Sequence, residues 1–271
     1  MQRSSVGPSR RRWIATLVVN ILPLTTKVKK RSRPAQRHAP LELEVIFCVY
    51  GVISPLLSNI YLTDVDRMLE RAKAATTYGE YSAVEYARFA DDLVVLVDAH
   101  PRHAWLKKAV PTRLRQELAT LQVEVNEEKS TTVELARGES FGFLGFEFRR
   151  IRSRSGAWRP RYTPKLKKRT ALLQKLKDVF RRFQSQPVGR VIELINPILR
   201  GWVNYFSVGH SSRCFSYIQD WVEKKIRRHI RRAQKRHGFG WKAWSRQRLG
   251  ATLGLFNSYR VRSRAPKVSP A

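Results

Sequence analysis

Apolar positions along this chain recur in blocks, some at strand spacing and others at helical spacing. Through Tyr86–Asp98, two apolar, β-branched runs flank Asp91 and Asp92, which reads as two antiparallel strands with the acidic pair near the joining turn. Upstream, Ser54 and Pro55 suit an N-cap and first helical turn. Leu56, Leu57, Ile60, Tyr61, Val65, Met68 and Leu69 then repeat at helical spacing and leave Asp64, Asp66, Arg67 and Glu70 for the other face. That pattern predicts an amphipathic helix of about four turns ending before Gly79.

After the acidic turn, Trp105, Leu106, Ala109, Leu114, Leu118 and Leu121 predict a second helix, interrupted or bent near Pro111. Val123 and Val125 suggest a short strand, and the alternating aromatics and glycines of Ser140–Phe148 suggest a strand pair or sharp bend. Residues 149–162 carry six Arg among Ser, Gly and Pro and read as a linker. Beyond them three amphipathic helices follow. The first starts at Thr163 and Pro164, the second runs from about Gly189 to Phe206 with Pro197 inside it, and the third from about Ser212 to Arg236. Residues 1–47 keep no sustained period and include the basic run Lys27–Pro40, so disorder or an unrelated basic tail is expected there. The fold class is α+β, an antiparallel sheet with helices followed by an all-α bundle. Its divisions are 1–47 tail, 48–150 mixed domain, 151–162 basic linker, 163–260 helical domain and 261–271 C-terminal tail.

Charge narrows the class of partner. Among 271 residues, 53 Lys and Arg face 21 Asp and Glu, a formal net charge of +32, and aromatic residues make up 10%. Such a field attracts polyanions, and interleaved aromatics suit stacking on unpaired bases. The third bundle helix concentrates the effect. Lys224, Lys225, Arg227, Arg228, Arg231, Arg232, Lys235 and Arg236 place eight positive charges in thirteen residues, with only Glu223 nearby. They are either a solvated face or an RNA-binding surface. A membrane surface is the weaker reading, since no stretch approaches a transmembrane length. Cys48 and Cys214 are far apart and lack metal-ligand spacing, which points to a reducing compartment. A bacterial cytoplasm fits. An organellar matrix is the alternative, because Arg10–Arg12 before apolar Trp13–Leu24 has the acid-poor composition of a transit peptide.

Asp91 and Asp92 have two readings. A lone Asp pair commonly makes a turn, whereas carboxylates held together on a rigid hairpin bind hard cations such as Mg²⁺. The order of motifs favours the second. Gly51–Leu62, then Phe89, Ala90, Asp91, Asp92, then Asn126–Ser130, then Phe143–Phe146, and finally Asn196–Trp202 with Tyr205 and Phe206, resemble five successive landmarks of the reverse transcriptases encoded by group II introns. The resemblance covers residues 51 to about 260 and implies a partial polymerase palm followed by a thumb and maturase-specific domain. It implies copying of RNA into DNA, binding of intron RNA to assist splicing, and Mg²⁺ as cofactor. On it, Asp91 is the metal ligand with Asp92 auxiliary, Phe89, Ala90 and Gly145 lie along primer and template, and Lys129 either protonates the departing phosphate or is a solvated surface lysine. A DNA primer is a further expected partner, and a membrane is not.

The chain departs from that pattern at its start. The family's palm carries another essential aspartate on an earlier strand, and here the first 50 residues contain no Asp. Pro-Gln-Gly before Gly51 is replaced by Cys48, Val49 and Tyr50. Asp64 and Asp66 are expected to face away from the apolar side of their helix and cannot substitute. A truncated copy is therefore expected, lacking the fingers and the early palm strand. It is expected to hold Mg²⁺ weakly and to be inactive as a polymerase alone unless another chain supplies the missing half.

Overall fold

The structure is a computed structural model and describes residues 13–22, 54–238 and 240–262. Cys48 and the expected changes at 48–50 lie outside the described residues. The chain forms two compact units. One holds the described residues to Leu144 together with Arg152–Trp158, and the other holds Gly145–Ile151 and the residues from Arg159 onward.

In the first unit a strand β1 (Trp13–Leu22) precedes helices α1 (Ser54–Tyr61) and α2 (Thr63–Ala75). A short pair follows, β2 (Thr77–Tyr78) and β3 (Tyr81–Ser82), then the hairpin β4 (Val84–Phe89) and β5 (Asp92–Asp98). Helix α3 (Leu106–Thr120) and strands β6 (Glu124–Val125), β7 (Thr131–Glu134) and β8 (Ser140–Phe143) complete it. The main sheet has the order β4-β5-β1-β6, with β7 also paired to β1. All of these pairings are antiparallel.

Strand β1 corrects the expectation that residues 1–47 are wholly a tail and that the strand beside the acidic hairpin is missing. Its run Trp-Ile-Ala-Thr-Leu-Val-Val-Asn-Ile-Leu lacks a period of two, so it reads poorly as an edge strand. A strand hydrogen-bonded on both edges at the middle of a sheet does not need that alternation. Strand β5 behaves the same way, with Leu93, Val94, Val95 and Val97 all buried.

The single helix expected over 54–78 is broken at Leu62, where the Thr63 hydroxyl donates to the carbonyls of Asn59 and Ile60 at 3.1 and 2.7 Å. Val65, Met68 and Leu69 of α2 join Val84, Leu93, Val95, Leu106, Val110, Leu114 and Leu118 in one core. Leu56 and Ile60 of α1 are exposed instead. Helix α3 runs unbroken through Pro111.

The arginine-rich stretch expected as a linker forms most of two paired strands, β9 (Phe146–Arg152) and β10 (Trp158–Pro164), most of whose residues belong to the second unit. Alternate positions explain it. Phe146, Phe148 and Tyr162 pack with Phe206 and Phe215, while Arg149, Arg152 and Arg159 are exposed. Gly209, at φ +79, lies so close to Tyr162 that an added Cβ would sit 2.2 Å from its ring. Helices α4 (Leu166–Arg182), α5 (Val188–Tyr205), α6 (Ser212–Ala233) and α7 (Arg246–Leu253) form the bundle. Leu176, Ile195, Leu199, Ile218, Ile226 and Leu249 fill its core. Asn196, just before the internal Pro197, donates to the Gly254 carbonyl at 2.8 Å and accepts from Phe256 N at 2.9 Å, which fixes the following segment to α5. Among the described residues, no helix is long and apolar enough to cross a membrane.

Candidate metal-binding turn and nucleic-acid interface

The acidic pair sits at the hairpin tip. Strand β4 ends at Phe89, β5 begins at Asp92, and Ala90 takes φ +51 in the turn between them. Asp91 is exposed, Asp92 half-buried, and Phe89 is 61% exposed. A positive φ on a residue with a Cβ costs conformational energy and needs support. Arg88 supplies it. Its guanidinium donates to the Ala90 carbonyl at 2.9 Å, to Asn59 Oδ1 at 3.0 Å and, through Nε, to Asp66 Oδ1 at 2.8 Å, and its Nη2 closes a second bond to Asp66 Oδ2. The Asp66 hydrogen bonds raise the Arg88 pKa further, so this clamp stays charged. Asp66 therefore does not face away as expected. One turn of α2 brings it to the back of the hairpin, where it orients the arginine, while Asp64 pairs with Arg67 in the open.

Further along the same face Lys73 pairs with Glu85 at 2.8 Å, and Tyr86 donates to Glu70 at 2.9 Å. Burial, then Glu70, pushes the Tyr86 hydroxyl up to about 12, so it remains a donor. These bonds lock α2 against β4. Sequence reasoning missed them because their partners lie 12 to 22 positions apart; an Arg directly before the Phe-Ala-Asp-Asp turn was the only available signal.

Across β5 the register pairs Asn20 of β1 with Asp92, and Val18 with Val94. No acidic residue occurs in Trp13–Leu22. Among the described residues no group of three or more His, Cys, Asp or Glu is placed to hold a metal ion. The donor set at the turn is two adjacent carboxylates, which fits a weakly held hard cation rather than a two-ion clamp.

Lys129 lies on an exposed turn whose backbone N–H donates to the side chain and carbonyl of Asn126, both at 3.2 Å. Gly145, at φ +79, packs in the second unit, where an added Cβ would meet the Phe206 ring at 3.4 Å and its carbonyl accepts from Lys165 N at 2.9 Å.

The basic helix divides into two faces. Lys224, Arg228 and Arg232 of α6 are exposed and Lys225 is half-buried, and Lys235 and Arg236, expected inside the helix, are exposed just past its end at Ala233. Burial, followed by Arg228, Lys177 and Arg232, lowers the Lys225 pKa. Arg231 turns back to donate twice to the His237 carbonyl, at 2.9 and 3.2 Å, closing the end of α6.

Arg227 requires a correction as an RNA-facing residue, because it is 1% exposed. Residues 222, 223, 226, 227 and 230 share the inward stripe of α6, so a cation there needs an anion beside it. Glu223 accepts from Arg227 Nη2 at 3.0 Å, and the Trp244 carbonyl accepts from its Nε at 2.7 Å. Glu223 also accepts from Arg246 at 2.6 Å.

Two family comparisons match the regions just described. Residues 50–148, which take in α1 to β8, match the reverse transcriptase (RNA-dependent DNA polymerase) family. Residues 169–250 match the group II intron maturase-specific domain. The chain belongs to the group II intron reverse transcriptase/maturase family. The two matched domains imply binding of intron RNA, and the reverse transcriptase family generally uses a divalent metal. Among curated proteins no relative matches the chain.

Proposed function

We propose that this chain acts on group II intron RNA chiefly by binding it, through the exposed face of α6, and that its polymerase centre is incomplete. The observation that carries this reading is the register of β1. The strand beside the acidic hairpin occupies the sheet, yet it sets Asn20 opposite Asp92 and carries no carboxylate. Asp91 and the auxiliary Asp92 then hold Mg²⁺ weakly. Phe89 and Ala90 would lie under a primer end, with Lys129 close enough in the family's arrangement to meet a departing phosphate. Removal of a catalytic group commonly lowers rate by orders of magnitude.

Primer extension on an RNA template with the purified chain tests this directly. No product above background is expected. Extension by the chain alone, abolished in Asp91→Asn, overturns the reading. Extension that requires a second polypeptide bearing the early palm would assign the missing donor to a complementing chain.

A further inference from the structure

The exposed face of α6 carries more than charge. A cavity of about 550 Å³ is lined by Trp221, Lys224, Lys225, Arg228 and Trp241, within the range of about 300–1,000 Å³ common for ligand sites. A second, of about 490 Å³, is lined by Arg228, Arg231, Arg232, Lys235, Arg236 and neighbouring residues. Arg228 belongs to both. An aromatic hollow therefore adjoins a cationic one along the same helix.

Trp241 is held in place from within. The Arg227 guanidinium sits 4.1 Å from the centre of its ring, and Arg227 Nη1 has no hydrogen-bond acceptor among the described residues, so the ring face is the partner it has. The Arg227 bond to the Trp244 carbonyl and the 2.9 Å bond from Trp244 N to the Gly240 carbonyl fix the loop that bears the ring. Even so, Trp241 stays 48% exposed. Trp221 is half-buried, edge-on to Phe180 at 6.3 Å, with Lys225 Nζ 5.3 Å from its ring centre. The same ring also lines the hollow together with Lys224, Lys225 and Arg228.

We infer that this hollow is a subsite for one unpaired nucleotide of RNA, whose base stacks on Trp241 and whose phosphate is held by Arg228 and Arg232. A planar base meets the apolar ring surface, and the flanking phosphate meets the cationic hollow, whereas a base paired within a duplex presents no face to stack. The subsite rests on the reading that this face binds RNA, and it adds a preference for unpaired segments.

The test uses the full chain with two probes, a short unstructured RNA carrying 2-aminopurine and a blunt duplex RNA of equal length. Wild-type protein should quench the 2-aminopurine. Trp241→Ala should weaken binding of the single strand by about tenfold while leaving the duplex nearly unchanged, and Trp241→Phe should retain most of the affinity. Absence of quenching by the wild type, or equal loss on both probes with Trp241→Phe as poor as Trp241→Ala, overturns the subsite. The double variant Arg232→Gln, Lys235→Gln serves as the separate control. It should weaken both probes, and if it weakens neither, the RNA-binding reading itself fails along with the subsite.

Discussion

Arg88 and Arg227 are the two arginines whose removal should matter most to folding, and for different reasons. Arg88 is a spacer between helix and hairpin, with its side chain 8% exposed against Asp66. In Arg88→Met the Ala90 carbonyl and the Asp66 carboxylate each lose a charged donor. A loss of about 1–3 kcal/mol is expected in denaturant unfolding, together with faster amide exchange at Asp91 and Asp92. Arg227→Met should be worse than its neighbour Arg228→Met. It leaves Glu223, 4% exposed, with Arg246 as its remaining partner, at a cost of about 3 kcal/mol. Arg228→Met should stay within about 0.5 kcal/mol of the parent protein, because the side chain is at the surface. Equal unfolding midpoints for the two variants would contradict the division of α6 into faces. Nothing in the composition of residues 224–236 separates Arg227 from Arg228. The phase of the helix does, through Val222, Ile226 and Ile230, and so does the placement of Glu223 one turn before Arg227.

At the scale of elements, helix α3 and the bundle helices are legible because each buries one periodic stripe, and the hairpin β4–β5 because its two apolar runs flank an acidic turn. The places where reading fails are those where periodicity is absent for a physical reason. Strand β1 is central and needs no alternation, while β9 and β10 hide theirs behind arginines. The junction after β5 was also illegible. There Asp98, 6% exposed, accepts from Ala99 N at 2.7 Å and meets His103 Nδ1 at 2.9 Å across a single helical turn, Pro101–His103. Burial alone would raise the Asp98 pKa, but hydrogen bonds from Tyr81, His103, Ala99 and His100 hold it below the ordinary carboxylate value. A depressed folded-state pKa means stability that is present above the unfolded-state value near 3.9 and is lost as pH falls through the lower folded value. Asp98→Asn should therefore unfold more readily than the parent at pH 7, with the difference shrinking below about pH 4. A gap that widens on acidification would refute this account of the β5 end.

For the whole molecule, the formal charge of +32 is what intron RNA meets first, and the α6 face is where that charge is arranged rather than merely abundant. The two units match different families. The first holds the acidic turn braced by Arg88, with no acidic residue on β1, and the second presents Lys224, Arg228, Arg232, Lys235 and Arg236 at the surface. Binding should then be steep in salt and insensitive to changes at the turn, so Asp91→Asn should leave the RNA affinity unchanged in a filter-binding measurement. The most direct measurement of the central claim is the salt dependence of affinity for folded intron RNA, compared between the parent chain and a variant with Arg228, Arg232 and Lys235 all changed to Gln. The slope of log affinity against log salt should fall in magnitude by about 2 to 3, close to one counterion per charge removed. An unchanged slope would place the RNA elsewhere on the protein and contradict the account.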